Sequence, residues 1–336
     1  MINVLVTFPL DDALITRLRG VSPKFNIMIA PVSKVDEVST EQWDKTEILF
    51  TENILPSPEK AKSLKWVQFT YSGLDRFSSN PLVFIPGLQI TTLSGATVSQ
   101  IAEHAVMMML ALGHSIPLMM THQRKSEWPK DRLEKFQPVE LRGSTVGIVG
   151  YGSIGRQIAH LLTPFGATVL ATKRDAKSPE DFGFTHEGMG DPDGSKVHRL
   201  YPAEALKSML RQSDFIVVCV PLTRQTIGLL DSVTMAAIKP GAFLVDISRG
   251  RIVDHSSLIK ALQDGKLAGA ALDVFPEEPL PLDSPLWGMP NVIISPHIAD
   301  NSRNYIDQAC HLFSENLHRY LAGLPLFNSF SAEKGY

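Results

Sequence analysis

Short apolar runs alternate with amphipathic stretches along nearly the whole chain. Residues 4–8, 27–30, 48–51 and 67–70 predict strands, and 11–19 carries a helical pattern. Residues 94–120 predict one long helix bearing Ile101-Ala102-Glu103-His104-Ala105-Val106-Met107. The charged, proline-bearing stretch 127–138 predicts a surface connection. From Thr145 the rhythm restarts, with strands expected at 145–149, 168–172, 215–220, 243–247, 270–274 and 292–294. Helical patterns near 154–162, 203–210, 232–238 and 255–263 separate the first five, and a final helix is expected at 301–321. Between Arg174 and Tyr201 lies a Gly/Pro/Asp-rich stretch without periodicity, which predicts an inserted surface loop. Strands alternating with helices in this way mark α/β proteins with parallel sheets.

Composition narrows the class. A chain of 336 residues suggests two domains. Its 32 basic and 35 acidic residues leave a net charge of −3, and no basic run supplies the footprint of a nucleic-acid or anionic-membrane binder. Cys219 and Cys310 cannot form a disulfide framework or a cysteine-rich zinc site, and no metal is expected. Met1–Val6 reads as a first strand rather than a leader, and the apolar stretch 105–112 is too short to span a bilayer. The terminal Glu333-Lys334-Gly335-Tyr336 is not a recognised address tag. The expectation is a soluble cytoplasmic protein.

Gly150-Tyr151-Gly152-Ser153-Ile154-Gly155 is a G-x-G-x-x-G motif, preceded by an apolar strand and followed by a helical pattern. That context turns a weak motif into a dinucleotide-binding fingerprint. Gly150 permits the tight turn, Gly152 lets backbone approach a pyrophosphate, and Gly155 permits close helix–strand packing. The helix start at Ser153 and Ile154 offers N–H donors to phosphate. Where a ribose-binding carboxylate would follow the second strand, Lys173 and Arg174 stand instead. A cation pair there suits a 2′-phosphate, so NADP(H) is the expected cofactor, with NAD(H) as the alternative.

Ligands of open parallel sheets bind beyond the carboxyl ends of the strands. The predicted strands from 215–220 onward run into Val220-Pro221-Leu222-Thr223, Ile247-Ser248-Arg249, Asp273–Pro279 and Ser295-Pro296-His297. An arginine, an acid and a histidine therefore reach the edge where the dinucleotide lies. Arginine can hold a carboxylate and polarise a keto oxygen through its fork of donors. Histidine can pass a proton to the carbonyl oxygen as hydride reaches carbon, with a carboxylate orienting it.

With these residues in order, the sequence resembles the D-isomer-specific 2-hydroxyacid dehydrogenase family. The matching stretches are Gly150–Gly155, Pro221-Leu222-Thr223 with Thr226 and Gly228, Lys239–Ala242, Ser248–Asp254, Asp273–Pro279 and Ser295-Pro296-His297. The resemblance implies that Arg249 is the substrate-binding and catalytic arginine, Glu278 the acid paired with histidine, and His297 the acid/base. The intervals of 29 and 19 residues between them suit the family. Glu277 competes for the pairing role, and Pro279 after Glu278 favours the latter.

It further implies that Asp273 contacts the nicotinamide carboxamide. Val220, Pro221, Thr226, Ile247, Ser248, Arg249, His297 and Ala299 would line the cofactor. The loop Tyr71-Ser72-Gly73, followed by Leu74-Asp75, would bind the substrate carboxylate. The implied reaction is hydride transfer between NADP(H) and a 2-keto acid/D-2-hydroxy acid pair, such as glyoxylate, hydroxypyruvate or a bulkier acid. No arginine follows the third strand at Thr51-Glu52-Asn53, which argues against a phosphorylated substrate. A dinucleotide-sensing, corepressor-like binding protein on the same fold is the rival reading.

The family forms dimers through the nucleotide lobe, and the 94–120 helix would belong to that interface. Departures are Lys173 in place of the usual acid, Tyr71 in place of a smaller residue, and Ile298-Ala299-Asp300-Asn301 after the histidine. The 174–201 stretch resembles insertions in some fungal-type members. His104 is expected to be structural or interfacial. With the glycine loop at 150, the dinucleotide-binding domain falls at 95–297. Residues 1–94 and 298–336 together make the substrate domain. The expected α/β architecture is two doubly wound parallel-sheet lobes, a Rossmann domain inserted into a flavodoxin-like one.

Overall fold

A computed structural model of the chain describes residues 1–74, 77 and 80–331. Two compact units are present, Met1–Thr97 with Ser302–Tyr336, and Val98–Asn301. The division falls slightly beyond the expected 94/95 and 297/298. Residues 94–97 are not helical, and Ser94 O accepts from Asn328 Nδ2 of the first unit at 2.5 Å. At the other boundary, Ile298 and Ala299 bond Asp273 of the second unit.

The first unit is built from β1 (Ile2–Val6), α1 (Asp12–Gly20), β2 (Phe25–Ile29), α2 (Thr40–Lys45), β3 (Ile48–Thr51), β4 (Trp66–Phe69) and β5 (Gln89–Thr91). Its sheet is parallel with order β2-β1-β3-β4-β5, the flavodoxin-like arrangement. Strands β3 and β4 are buried along their whole length and largely apolar because both faces of the sheet are covered. Asp11 caps α1 by accepting from the Leu14 N–H at 2.8 Å. The last helix returns here because Phe313 stacks on Phe50 at 4.2 Å and packs on Trp66 at 5.2 Å. Burying these rings ties the end of the chain to its beginning.

The second unit comprises α3 (Val98–Gly113), α4 (Ile116–Arg124), α5 (Arg132–Lys135), β6 (Thr145–Val149), α6 (Ser153–Phe165), β7 (Thr168–Thr172), β8 (Arg199–Tyr201), α7 (Leu206–Leu210), β9 (Phe215–Val218), α8 (Ser232–Ala236), β10 (Ala242–Asp246), α9 (His255–Gln263), β11 (Leu267–Leu272) and β12 (Val292–Ile294). The closing helix α10 (Tyr305–Ala322) belongs to the first unit. The second sheet is parallel with order β12-β11-β10-β9-β6-β7-β8. From β6 the chain winds outward to β8, then returns beside β6 and winds the other way. That reversal is the topological switch point of a Rossmann fold. One core layer joins α3 and α6 to the sheet, and the other joins α7, α8 and α9 to its opposite face.

Two expectations are corrected. Residues 94–120 are not one helix, since α3 and α4 meet at a 63° bend. Gly113 sits where an added Cβ would come within 2.5 Å of Val139 O, and Ser115 takes a left-handed φ of 55°. Pro117 then opens α4, where its missing N–H costs nothing. The 174–201 stretch is also more than a surface loop. It ends in β8, which extends the sheet beside β7, and it carries Asp191 at 1% exposure. Among the described residues no single helix is long and apolar enough to cross a membrane.

Candidate active site

The carboxyl edge of the second sheet gathers most of the expected residues. The glycine-rich loop joins β6 to α6 at the switch point. Gly150 has a φ of 107°, and a Cβ there would lie 2.7 Å from Val220 Cγ1. A Cβ on Gly155 would lie 2.2 Å from Gly150 O, so only glycine lets α6 start this close to the loop. Gly152 is the N-cap of α6, and its absent Cβ would point into open space. The first-turn N–H groups of Ser153, Ile154 and Gly155 have no intrahelical acceptor, which makes this end a ready anion cradle. The loop is tied to the end of β7 by the Tyr151 N–H to Thr172 O at 2.8 Å and the Gly150 N–H to Thr172 Oγ1 at 3.2 Å.

At that same strand end, Lys173 Nζ donates to the carbonyls of Ser178 and Glu180, the latter at 2.9 Å, while Arg174 is exposed. Burial and the nearby Arg156 guanidinium hold the Lys173 pKa below the ordinary lysine range. Beyond β9, Thr226 shapes the turn rather than projecting outward. Its hydroxyl donates to Pro221 O at 2.6 Å and accepts from the Thr223 N–H at 2.8 Å.

Beyond β10, Ile247 and Ser248 are buried and Arg249 is half-buried, with Nη1 donating to Ser248 O at 2.8 Å. Ser248 is held by wholly buried Asp246, whose Oδ1 accepts from the Ser248 N–H at 3.0 Å and from its hydroxyl. Gly250 lies against the backbone of Phe275, where a Cβ would approach to 1.9 Å. The segments carrying Arg249 and Glu278 are therefore packed backbone to backbone.

Glu278 Oε1 accepts from the Phe275 N–H at 2.9 Å, and its Oε2 lies 2.8 Å from His297 Nδ1. The structure thus pairs the histidine with Glu278, not Glu277. His297 and Glu278 side chains are 40% and 36% exposed, so the pair is open to reactants. Nδ1–H toward the carboxylate leaves Nε2 as the nitrogen available for proton exchange. His297 has a left-handed φ of 52°, unusual for a residue with a Cβ. Asp273, 2% exposed, fixes that turn: it accepts from Ser295 Oγ at 2.6 Å and from the Ile298 and Ala299 N–H groups, each at 3.0 Å. His104 joins from α3, with Nε2 3.2 Å from Ser295 Oγ. Burial pushes the His104 pKa down, opposed by Asp273.

Tyr71, Ser72 and Gly73 follow β4 in the first unit, where Tyr71 O accepts from the Leu93 N–H at 2.9 Å. Asp75 lies outside the described residues. Tyr305 also serves that unit, donating to Thr70 O at 2.6 Å. Sequence reasoning did not single out Asp246, Thr172 or the Asp273–Ser295–His104 chain. The polar ending of the otherwise apolar strand β10 was the available signal for Asp246.

Comparison with known proteins shows the family. Residues 106–299, more than half of the chain, match the family described as D-isomer specific 2-hydroxyacid dehydrogenase, NAD binding domain. A D-3-phosphoglycerate dehydrogenase from Archaeoglobus fulgidus is 31% identical over 81% of this chain and 48% of its own length. The chain therefore spans about half of that relative. A glyoxylate reductase from Pyrococcus furiosus is 32% identical over 70% of this chain and 67% of its own. The crystal structure of a D-isomer specific 2-hydroxyacid dehydrogenase from Xanthobacter autotrophicus Py2, in complex with NADPH and MES, superposes with a TM-score of 0.79. It shares 26% identity and covers 99% of both chains. A glycine loop at the switch point, an arginine beyond β10 and a Glu–His pair beyond β11 and β12 meet in one unit that this match spans. The chain belongs to the D-isomer specific 2-hydroxyacid dehydrogenase family.

Proposed function

We propose that the protein reduces a 2-keto acid to the D-2-hydroxy acid with NADPH. The observation that carries this reading is the His297–Glu278 pair on the same sheet edge as the glycine-rich loop and Arg249. The loop supports a dinucleotide through its open Gly152 face and the first-turn N–H groups of α6, which suit a pyrophosphate. When bound, the nicotinamide supplies the hydride. Arg249 binds the substrate carboxylate and polarises the keto oxygen. His297 gives the Nε2 proton to that oxygen, and Glu278 stabilises the imidazolium and keeps Nδ1 protonated. Lys173 and Arg174 favour the 2′-phosphate over a bare ribose.

Steady-state oxidation of NADPH and NADH against glyoxylate, hydroxypyruvate and bulkier 2-keto acids tests this directly. Turnover is expected with NADPH, at a kcat/KM about tenfold or more above NADH, as a charged contact of about 1.4 kcal/mol or more would give. Equal or better use of NADH would overturn the cofactor preference. Tight NADPH binding without turnover on any acid would favour a dinucleotide sensor.

We also propose a homodimer through α3 and α4, where Met107, Ile116 and Met120 are 50%, 42% and 41% exposed. Apolar side chains grouped this way on two consecutive helices mark an interaction surface. Light scattering behind size exclusion is expected to give twice the chain mass. A monomer, or a Met107→Glu variant that remains dimeric, would refute the assigned surface.

A further inference from the structure

The 175–196 insertion closes on the nucleotide end of the second unit rather than on the sheet as a whole. Asp191, nearly fully buried, accepts from the Tyr151 hydroxyl, from the Ser195 N–H at 2.9 Å and from the Lys196 N–H at 3.1 Å. Tyr151 is the second residue of the glycine-rich loop, and its ring is buried under the Arg156 guanidinium, 4.7 Å from the ring centre. Arg156, 2% exposed, donates to Asp191 O and, at 2.5 Å, to Pro179 O, and its Nε lies 3.2 Å from Asp181 Oδ2. Gln157 Oε1 accepts from the Gly190 N–H at 2.6 Å, and His160 Nδ1 donates to Gly190 O at 3.0 Å.

Each of these helix contacts falls in the first two or so turns of α6, the end that faces the loop. The sheet-facing side of the same helix is occupied by Ile158, Ala159 and Leu162. Arg156 and Gln157 are therefore spent on the insertion, not on the core. A guanidinium and a carboxylate are costly to bury without partners, and the insertion supplies Asp191 O, Pro179 O and the Asp181 carboxylate to Arg156, so displacing the segment would strand a buried charge. The same segment takes up the Lys173 ammonium through the carbonyls of Ser178 and Glu180, which sets where that charge sits beyond β7.

We propose that residues 175–196 are a strap that holds the glycine-rich loop and Lys173 in their dinucleotide-binding arrangement. Asp191, Tyr151 and Arg156 are then positioning residues for the cofactor. The inference rests on the dinucleotide reading above and adds a determinant outside the G-x-G-x-x-G motif. Preorganisation lowers the ordering cost of binding, so releasing the strap weakens affinity without removing any contact to the ligand. Because the strap also sets the Lys173 charge, its loss weakens NADPH more than NADH.

The test is titration of the whole protein with NADPH and with NADH, followed by fluorescence, for wild type, Asp191→Asn and Tyr151→Phe, with melting curves for each. Both variants are expected to bind NADPH about tenfold more weakly, with a smaller loss for NADH. Tyr151→Phe removes one hydroxyl and serves where Asp191→Asn does not fold. Variants that melt earlier yet keep the wild-type Kd for NADPH would reduce the strap to a fold element and overturn the proposal. A wild type that binds neither dinucleotide would instead overturn the reading on which it rests.

Discussion

Replacing His297 by alanine will lower kcat for 2-keto acid reduction about a thousandfold while leaving dinucleotide affinity nearly unchanged, as loss of a positioned general acid does. The imidazole is placed by three independent restraints. Glu278 takes Nδ1 at 2.8 Å, the Phe275 N–H holds the other Glu278 oxygen, and Asp273 holds the turn through Ser295, Ile298 and Ala299. None of these restraints passes through the glycine-rich loop, so the cofactor cradle should survive the substitution. The left-handed φ of 52° supplies a control. Asparagine tolerates that region better than alanine, so His297→Asn keeps the turn while removing the acid. Both variants should fall alike. If His297→Asn keeps most of the wild-type kcat, proton transfer belongs to another group.

What could be read beforehand follows from which features are local. The glycine motif and the strand ends carrying Arg249, Glu278 and His297 are local patterns, and the parallel sheets follow from alternation of strand and helix. Strands β6, β7 and β12 fall on the predicted residues because their apolar runs are bounded by turn chemistry. The break between α3 and α4 has local signals in Gly113, Ser115 and Pro117, but the apolar pattern runs across them and masks it. The crowding of Gly113 by Val139, 26 residues further on, shows only in the fold. Strands β5 and β8 have three residues each and, unlike the wholly apolar β12, mix polar residues among them (Gln89 and Thr91; Arg199), so they show neither a period nor an apolar run.

The insertion was opaque for a related reason. Its order comes from single polar contacts between Asp191 or Gly190 and residues 30 to 40 positions away, which leave no periodic trace. Asp273 is instructive in another way. Its place beyond β11 marked it as a site residue, but its oxygens are engaged by the histidine turn, a partnership that only the folded chain displays.

Replacing Asp246 by asparagine will make the protein's stability less dependent on pH, and its advantage over wild type will grow by about 2–3 kcal/mol between pH 5 and pH 8. Asp246 is wholly buried at the end of β10, and burial pushes its pKa up to about 7 from an ordinary 3.8. Hydrogen bonds from Ser248 work in the opposite direction, while the charge of Asp273 on the neighbouring segment adds to the rise. The Cys219 thiol of this half-buried neighbour is pushed up to about 12 by desolvation and by the Asp246 charge, so it stays neutral across this window.

The folded carboxyl holds its proton to higher pH than the unfolded one. Stability from this group is therefore fully present below about pH 4 and is lost as pH rises through 7. Asparagine keeps the oxygen that accepts from Ser248 and cannot ionise, so it abolishes that loss. Denaturant unfolding of both proteins at pH 5, 6.5 and 8 reads the effect. A gap that stays constant over this range would mean that Asp246 is already ionised in the folded protein. The outcome also bears on chemistry, because Ser248, which Asp246 anchors, directly precedes Arg249. A negative charge forming under that turn would compete for the arginine that we propose binds the substrate. Holding the carboxyl neutral removes that competing charge from beneath the turn that carries Arg249.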